Sequence, residues 1–119
     1  MVLVDTSVWV NHLNRSDRAL IELLNNAQVA VHPFVLGELA CGNIRNRTQI
    51  LSLLMNLPSV PVVSGDEFFF FIEKKSLSGK GLGFVDIHLL ASAAISETAV
   101  YTKDKQLYLA SKNLGFITL

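Results

Sequence analysis

One cysteine, three prolines, one tryptophan and no excess of either charge leave few of the features that announce a function at first sight. The lone Cys41 excludes an internal disulfide framework and supports no cysteine-based metal motif. Ten basic residues balance ten acidic ones. A nucleic-acid partner must therefore be met by a local basic patch and not by overall charge. No apolar run approaches the roughly 20 residues needed to span a bilayer. Met1-Val2-Leu3-Val4-Asp5 lacks the basic start and long apolar core of a secretory signal. A cytoplasmic location without a membrane anchor is the expectation. Internal repeats, linkers and low-complexity segments are also missing. The 119 residues suit one domain, 1–119, with a real core and little room for a second. What the chain does have is apolar residues, 50% of the total against 17% charged, with a mean hydropathy of +0.41. In a small chain this excess points to an apolar surface covered by a partner or a second copy.

The longest apolar stretch, Phe84 to Ile95, is hydrophobic nearly all round at helical spacing, which predicts a helix buried on most of its surface. Asp86 is its one charge before Glu97. Its neighbours three and four residues away, Leu82, Gly83, Leu89 and Leu90, offer no partner. Either it stands in the first helical turn, where free N–H groups favour an anion, or it serves chemistry.

Two other acids are equally isolated. Val2-Leu3-Val4 predicts a strand that ends at Asp5, with Thr6 or Ser7 capping a helix that continues through Val8, Trp9 and Leu13. Glu38 lies inside a helix that Pro33 starts and Gly42 ends. The other acids have ordinary explanations. Asp17 caps a second helix, Ser64-Gly65-Asp66-Glu67 matches a capping box, and Glu22, Glu73 and Glu97 lie on polar helix faces. Further strands are predicted at Val29–Val31, Val60–Val63, Ala99–Thr102 and Phe116–Thr118. A fourth helix is predicted from Ile50 to Leu57, stopped by Pro58, and a last one runs through Leu107, Ala110 and Leu114 to Gly115. Phe68 to Phe71 cannot all face one core, so at least one ring is a candidate partner surface. The glycines of Ser78 to Gly83 form a loop that matches neither a phosphate-binding loop nor a dinucleotide fingerprint.

Strands alternating with helices imply a mostly parallel sheet covered by helices, with its functional crevice outside the carboxyl ends of the strands. Asp5 and Asp104 both follow strands and belong on that edge; the pattern does not settle the edge for Asp86. Acids that face one another in apolar surroundings repel, which raises their pKa values or calls for a cation. A hard divalent ion with oxygen ligands, Mg²⁺ or Mn²⁺, meets that demand. His12, His32 and His88 lack the paired spacing of a histidine ligand set and are read, with Trp9, as packing or surface residues.

Val4-Asp5-Thr6-Ser7-Val8-Trp9, Phe34-Val35-Leu36-Gly37-Glu38-Leu39-Ala40-Cys41-Gly42, Gly81-Leu82-Gly83-Phe84-Val85-Asp86 and Tyr101-Thr102-Lys103-Asp104 resemble, in order, the successive motifs of PIN-domain proteins, particularly VapC-type toxins of bacterial toxin–antitoxin pairs. The resemblance implies a three-layer α/β/α sandwich with a mostly parallel central sheet. It also implies a ribonuclease site in which Asp5, Glu38, Asp86 and Asp104 bind the metal and Thr6 and Thr102 orient carboxylates. The further acid that many relatives carry beside the fourth is replaced here by Lys105 and Gln106, leaving one-ion and two-ion arrangements open. Arg45, Arg47, Lys80 and Lys103 are the candidate phosphate contacts, and either Asp5 or Asp86 is the candidate base. A cognate antitoxin and a homodimer are the partners implied. The alternatives are an RNA-processing nuclease of the same fold and a non-catalytic binding or assembly module. A phosphoacceptor receiver domain needs two adjacent acids after the first strand, which Asp5-Thr6 does not supply.

Overall fold

The structure, a computed structural model, describes residues 1–116. Its sheet has three strands, β1 (Val2–Val4), β2 (Val29–Ala30) and β3 (Ala99–Tyr101), in the order β2-β1-β3, all parallel. Parallel neighbours require crossovers, and the helices supply them: α1 (Thr6–Asn14) and α2 (Arg18–Asn25) between β1 and β2, then α3 (Pro33–Cys41), α4 (Arg47–Met55), α5 (Gly65–Lys75) and α6 (Phe84–Ser96) before β3, with α7 (Lys105–Asn113) after it. The chain steps from β1 to one neighbour and then across to the other side. Right-handed crossovers in these two directions cover opposite faces of the sheet, giving the α/β/α sandwich.

Leu3, Val4 and Val100 are fully buried at the centre, packed with Val8 of α1 and with Leu89, Leu90 and Ala93 of α6. Every residue from Ile87 to Ala93 is buried, as the all-round apolar pattern requires. Helix ends follow local chemistry. Pro33 occupies the first turn of α3 and Gly42 its C-cap, the Asp17 side chain accepts from Leu20 N–H at the start of α2, and Ser64 and Glu67 form a complete capping box on α5.

Several local expectations are corrected. Val60–Val63 is not a strand. Only Ser59 bridges Val31, because Pro58 and Pro61 have no N–H to give a ladder on either side of this short segment. Helix α4 begins at Arg47, ahead of the predicted start at Ile50, with Asn46 as its N-cap in a left-handed conformation (φ 54°). Asp5 itself, not Thr6 or Ser7, is the N-cap of α1. On α5, Phe68 is buried and Phe71 half-buried while Phe69 and Phe70 face solvent. The predicted closing strand at Phe116–Thr118 runs outside the described residues.

A buried histidine ties β2 to α6. His32, fully buried at the end of β2, accepts the Phe34 N–H on Nδ1 (2.9 Å), so its proton lies on Nε2 and points to Ser92 Oγ (3.1 Å). Ser92 passes the chain on by donating to the Pro61 carbonyl (2.7 Å). Burial, and then the neighbouring His88, hold His32 down to about 4. The unfolded chain takes up this proton near the ordinary 6.5 and the folded chain only near 4. Stability is therefore complete above the unfolded value and is lost as pH falls towards the folded one, by about 3 kcal/mol in full. Urea denaturation at pH 7 and pH 4.5 should show most of that loss, and His32→Asn, which keeps an acceptor for Phe34, should show a clearly smaller one. Equal losses in the two proteins would contradict the assignment.

Candidate active site

The carboxyl edge of the sheet collects the isolated acids. Asp5 follows β1 directly and its backbone N–H donates to the Tyr101 carbonyl of β3 (2.9 Å), which locks it to the neighbouring strand. Its side chain is buried. Asp104 lies just beyond β3 and caps α7 through a bond from Leu107 N–H to Oδ1 (2.9 Å). Glu38 projects from α3, which starts just past the end of β2. The edge for Asp86 follows from connection length. Helix α6 ends at Ser96 and β3 begins at Ala99, so the end of α6 meets the amino edge of the sheet and its first turn lies at the carboxyl edge. There Asp86 accepts the Gly83 N–H on Oδ2 (2.9 Å). The first-turn reading and proximity to the other acids hold together.

Hydroxyls fix two of these carboxylates. Thr102 Oγ1 and Ser7 Oγ both donate to Asp5 Oδ2, each at 2.7 Å. Thr102 Oγ1 also accepts from Asp104 N–H and Ser7 Oγ from Lys103 N–H, so the same pair clamps the β3–α7 connection. Thr6 Oγ1 donates to Glu38 Oε1 at 2.6 Å, joining α1 to α3. Each carboxylate thus commits one oxygen to a protein donor, while among the described residues its second oxygen accepts no hydrogen bond. Ser7 escaped the sequence reading because its place after Asp5 and Thr6 resembles a helix cap. Its distinguishing signal is a spacing of two from an acid at a strand end, which turns its hydroxyl back onto that acid.

The electrostatics record the crowding. Burial pushes the Asp86 carboxyl up; the Gly83 N–H works against this, and the charges of Asp5, Asp104 and Glu38 push it up further. No cation offsets them, since the one salt bridge among the described residues joins Lys103 to Asp17 (3.4 Å). Oxygen donors of this kind, negatively charged and half unengaged, suit a hard divalent ion in charge and donor type. As the side chains stand, however, no three acidic, histidine or cysteine groups among the described residues form a ready ligand set. Shared ligation requires them to draw together from these positions.

The candidate phosphate contacts are unlike one another. Arg47 donates through Nε and a terminal nitrogen to the Ala40 carbonyl near the end of α3 (3.2 and 2.6 Å). Lys103 pairs with Asp17 and lies 5.3 Å from the centre of the Tyr101 ring. Arg45 and Lys80 are exposed on loops and in no ion pair among the described residues. His32 and His88 are buried, His88 among the rings of Phe34, Phe68 and Phe84, and Trp9 is in the core.

The chain has known relatives. The chain is 45% identical over 116 residues to "Ribonuclease VapC32" of Mycobacterium tuberculosis, in each of two strains, covering 97% of this chain and 94% of the relative. Among solved structures it is similar to the M. tuberculosis VapC20 toxin, described as cleaving the sarcin–ricin loop (TM-score 0.69, 20% identity, covering 98% of this chain and 97% of that one). It is also similar to PAE2754 from Pyrobaculum aerophilum (TM-score 0.65, 18% identity, 98% and 87% covered). The family model for the PIN domain matches residues 2–113, and the chain belongs to the PIN-domain family.

Proposed function

We propose that this chain is a divalent-metal-dependent endoribonuclease and the toxin of a bacterial toxin–antitoxin pair, acting in the cytoplasm as a single domain. The observation that carries this reading is the set of four carboxylates on one sheet edge, each with one oxygen held and one unengaged, in a chain closely related to a ribonuclease. Asp5, Glu38, Asp86 and Asp104 are the residues that would hold the ion. Mg²⁺ or Mn²⁺ held there would supply a water of lowered pKa and would draw charge from the phosphate in the transition state.

The chain's own groups do the positioning. Ser7 and Thr102 hold Asp5 by one oxygen and leave the other unengaged among the described residues, and Thr6 does the same for Glu38. Asp5 or Asp86 orients the attacking water and takes its proton. The two hydroxyl bonds suit Asp5 to fixed ligation, which leaves Asp86 as the candidate for that proton. Arg45 and Lys80 contact RNA phosphates without giving up an ion pair, whereas Lys103 does so by leaving Asp17 and Arg47 by leaving Ala40.

Exposed Leu53 and Met55 on α4 and Phe69 and Phe70 on α5 are the apolar surface proposed for a homodimer and for the antitoxin. Among the described residues no helix is long and apolar enough to cross a membrane.

RNA cleavage by the purified protein with Mn²⁺ or Mg²⁺ tests the reading. Asp5→Asn and Asp86→Asn, prepared identically, should each lose about 10²–10⁴-fold in rate, and EDTA should stop the wild type. Equal activity in all preparations would mean a contaminating nuclease and defeat the reading. Ser7→Ala removes one of two hydroxyls from Asp5 and should cost about 10- to 100-fold in metal affinity or activity, with Ser7→Thr recovering part of it. Full activity in Ser7→Ala would show that Thr102 alone positions Asp5.

A further inference from the structure

We propose that Asp17 is a positioning residue for the acid edge: its buried carboxylate holds the Lys103 ammonium off Asp5 and Asp104 and so keeps those carboxylates free for a divalent ion. This rests on the metal-dependent reading above and goes beyond it by giving a task to an acid outside the four. Asp17 is the N-cap of α2, where its Oδ1 accepts the Leu20 N–H (2.9 Å). Asparagine and serine cap helices as well as aspartate does. The cap therefore accounts for an oxygen at this position, but not for a charge on a side chain only 5% exposed. The second oxygen accounts for the charge. Oδ2 accepts from the Tyr101 hydroxyl (2.7 Å) and lies 3.4 Å from Lys103 Nζ, which stands 5.3 Å from the centre of the Tyr101 ring. Carboxylate and ring both attract the ammonium.

The backbone position of Lys103 explains why it needs a restraint. Its N–H donates to Ser7 Oγ (3.0 Å), and Ser7 Oγ donates to Asp5 Oδ2 (2.7 Å). The lysine is thus rooted two hydrogen bonds from one site acid and is followed in the chain by another, Asp104. Of the two lysines beside Asp104, it is the one whose backbone is bonded to a hydroxyl that holds Asp5; Lys105 belongs to α7. A lysine carries a compact charge on a flexible four-carbon stem, and carboxylates that crowd one another without a cation favour the nearest one. Released from Asp17, the Lys103 ammonium would turn to Asp5 or Asp104 and compete with Mg²⁺ for the same oxygens. Instead, the one salt bridge among the described residues takes it to a fifth acid. The restraint matters before substrate arrives, since RNA then offers Lys103 a phosphate.

Calorimetric titration of Mg²⁺ into metal-free protein, without RNA, tests this in the wild type, Asp17→Asn, Lys103→Ala and the double variant. Asp17→Asn keeps a capping oxygen and removes the charge, and it should weaken Mg²⁺ binding about 10-fold. Adding Lys103→Ala removes the competing ammonium and should restore the wild-type affinity, which Lys103→Ala alone should also show. Asp17→Ser, another capping residue without charge, carries the same test if Asp17→Asn melts early. Unchanged affinity in the Asp17 variants overturns the proposal. So does a double variant as weak as the Asp17 variant alone, because the loss then comes through the fold and not through Lys103. Either result leaves the nuclease reading intact, whereas a wild type that binds no divalent ion overturns both.

Discussion

Repulsion among carboxylates on the edge of a small parallel sheet is the constraint on which the rest of this structure depends. Placing Asp5, Glu38, Asp86 and Asp104 together costs free energy, and Asp86 is pushed up by burial first and then by the charges of the other three. The fold tolerates this because each carboxylate is held by a donor the backbone already needed to place. Asp86 and Asp104 satisfy helix N-terminal N–H groups, and Asp5 receives the two hydroxyls that also clamp the β3–α7 connection. Structural bonds and site geometry are therefore the same bonds. A cation that relieves the repulsion acts on carboxylates already held to one edge, which draw together to share it.

The sheet makes this economy possible. Three strands of two or three residues bury little by themselves, and the core comes from α6 packed across them. The same helix delivers Asp86, because its short link to β3 forces its first turn to the carboxyl edge. Further along, Ser92 of α6 joins His32 and Pro61 in a buried polar chain. One helix thus carries a site acid at its start and an anchor in its middle.

Much of this was legible in the residues. Val2–Val4 ending at Asp5, Pro33 and Gly42 bracketing Glu38, and the all-apolar run behind Asp86 each state a strand or helix and an acid the element cannot satisfy. The edge for Asp86 was not legible, because helical spacing says nothing of direction relative to a sheet; only the length of the link to β3 does. The role of Ser7 was hidden because a hydroxyl near a helix start has two possible partners, and pairing with Thr102 on Asp5 depends on residues 95 positions apart. Val60–Val63 has strand composition, but the prolines beside and within it remove the donors a strand needs.

The central claim is that burial, reinforced by the neighbouring carboxylates, makes Asp86 resist ionisation until a cation joins them. NMR titration of the Asp86 carboxyl carbon in metal-free protein, repeated with saturating Mg²⁺, tests it most directly. The predicted result is a midpoint above the ordinary 3.8 without metal and a clear fall when Mg²⁺ is added. A midpoint at or below the ordinary value that ignores Mg²⁺ would contradict the account.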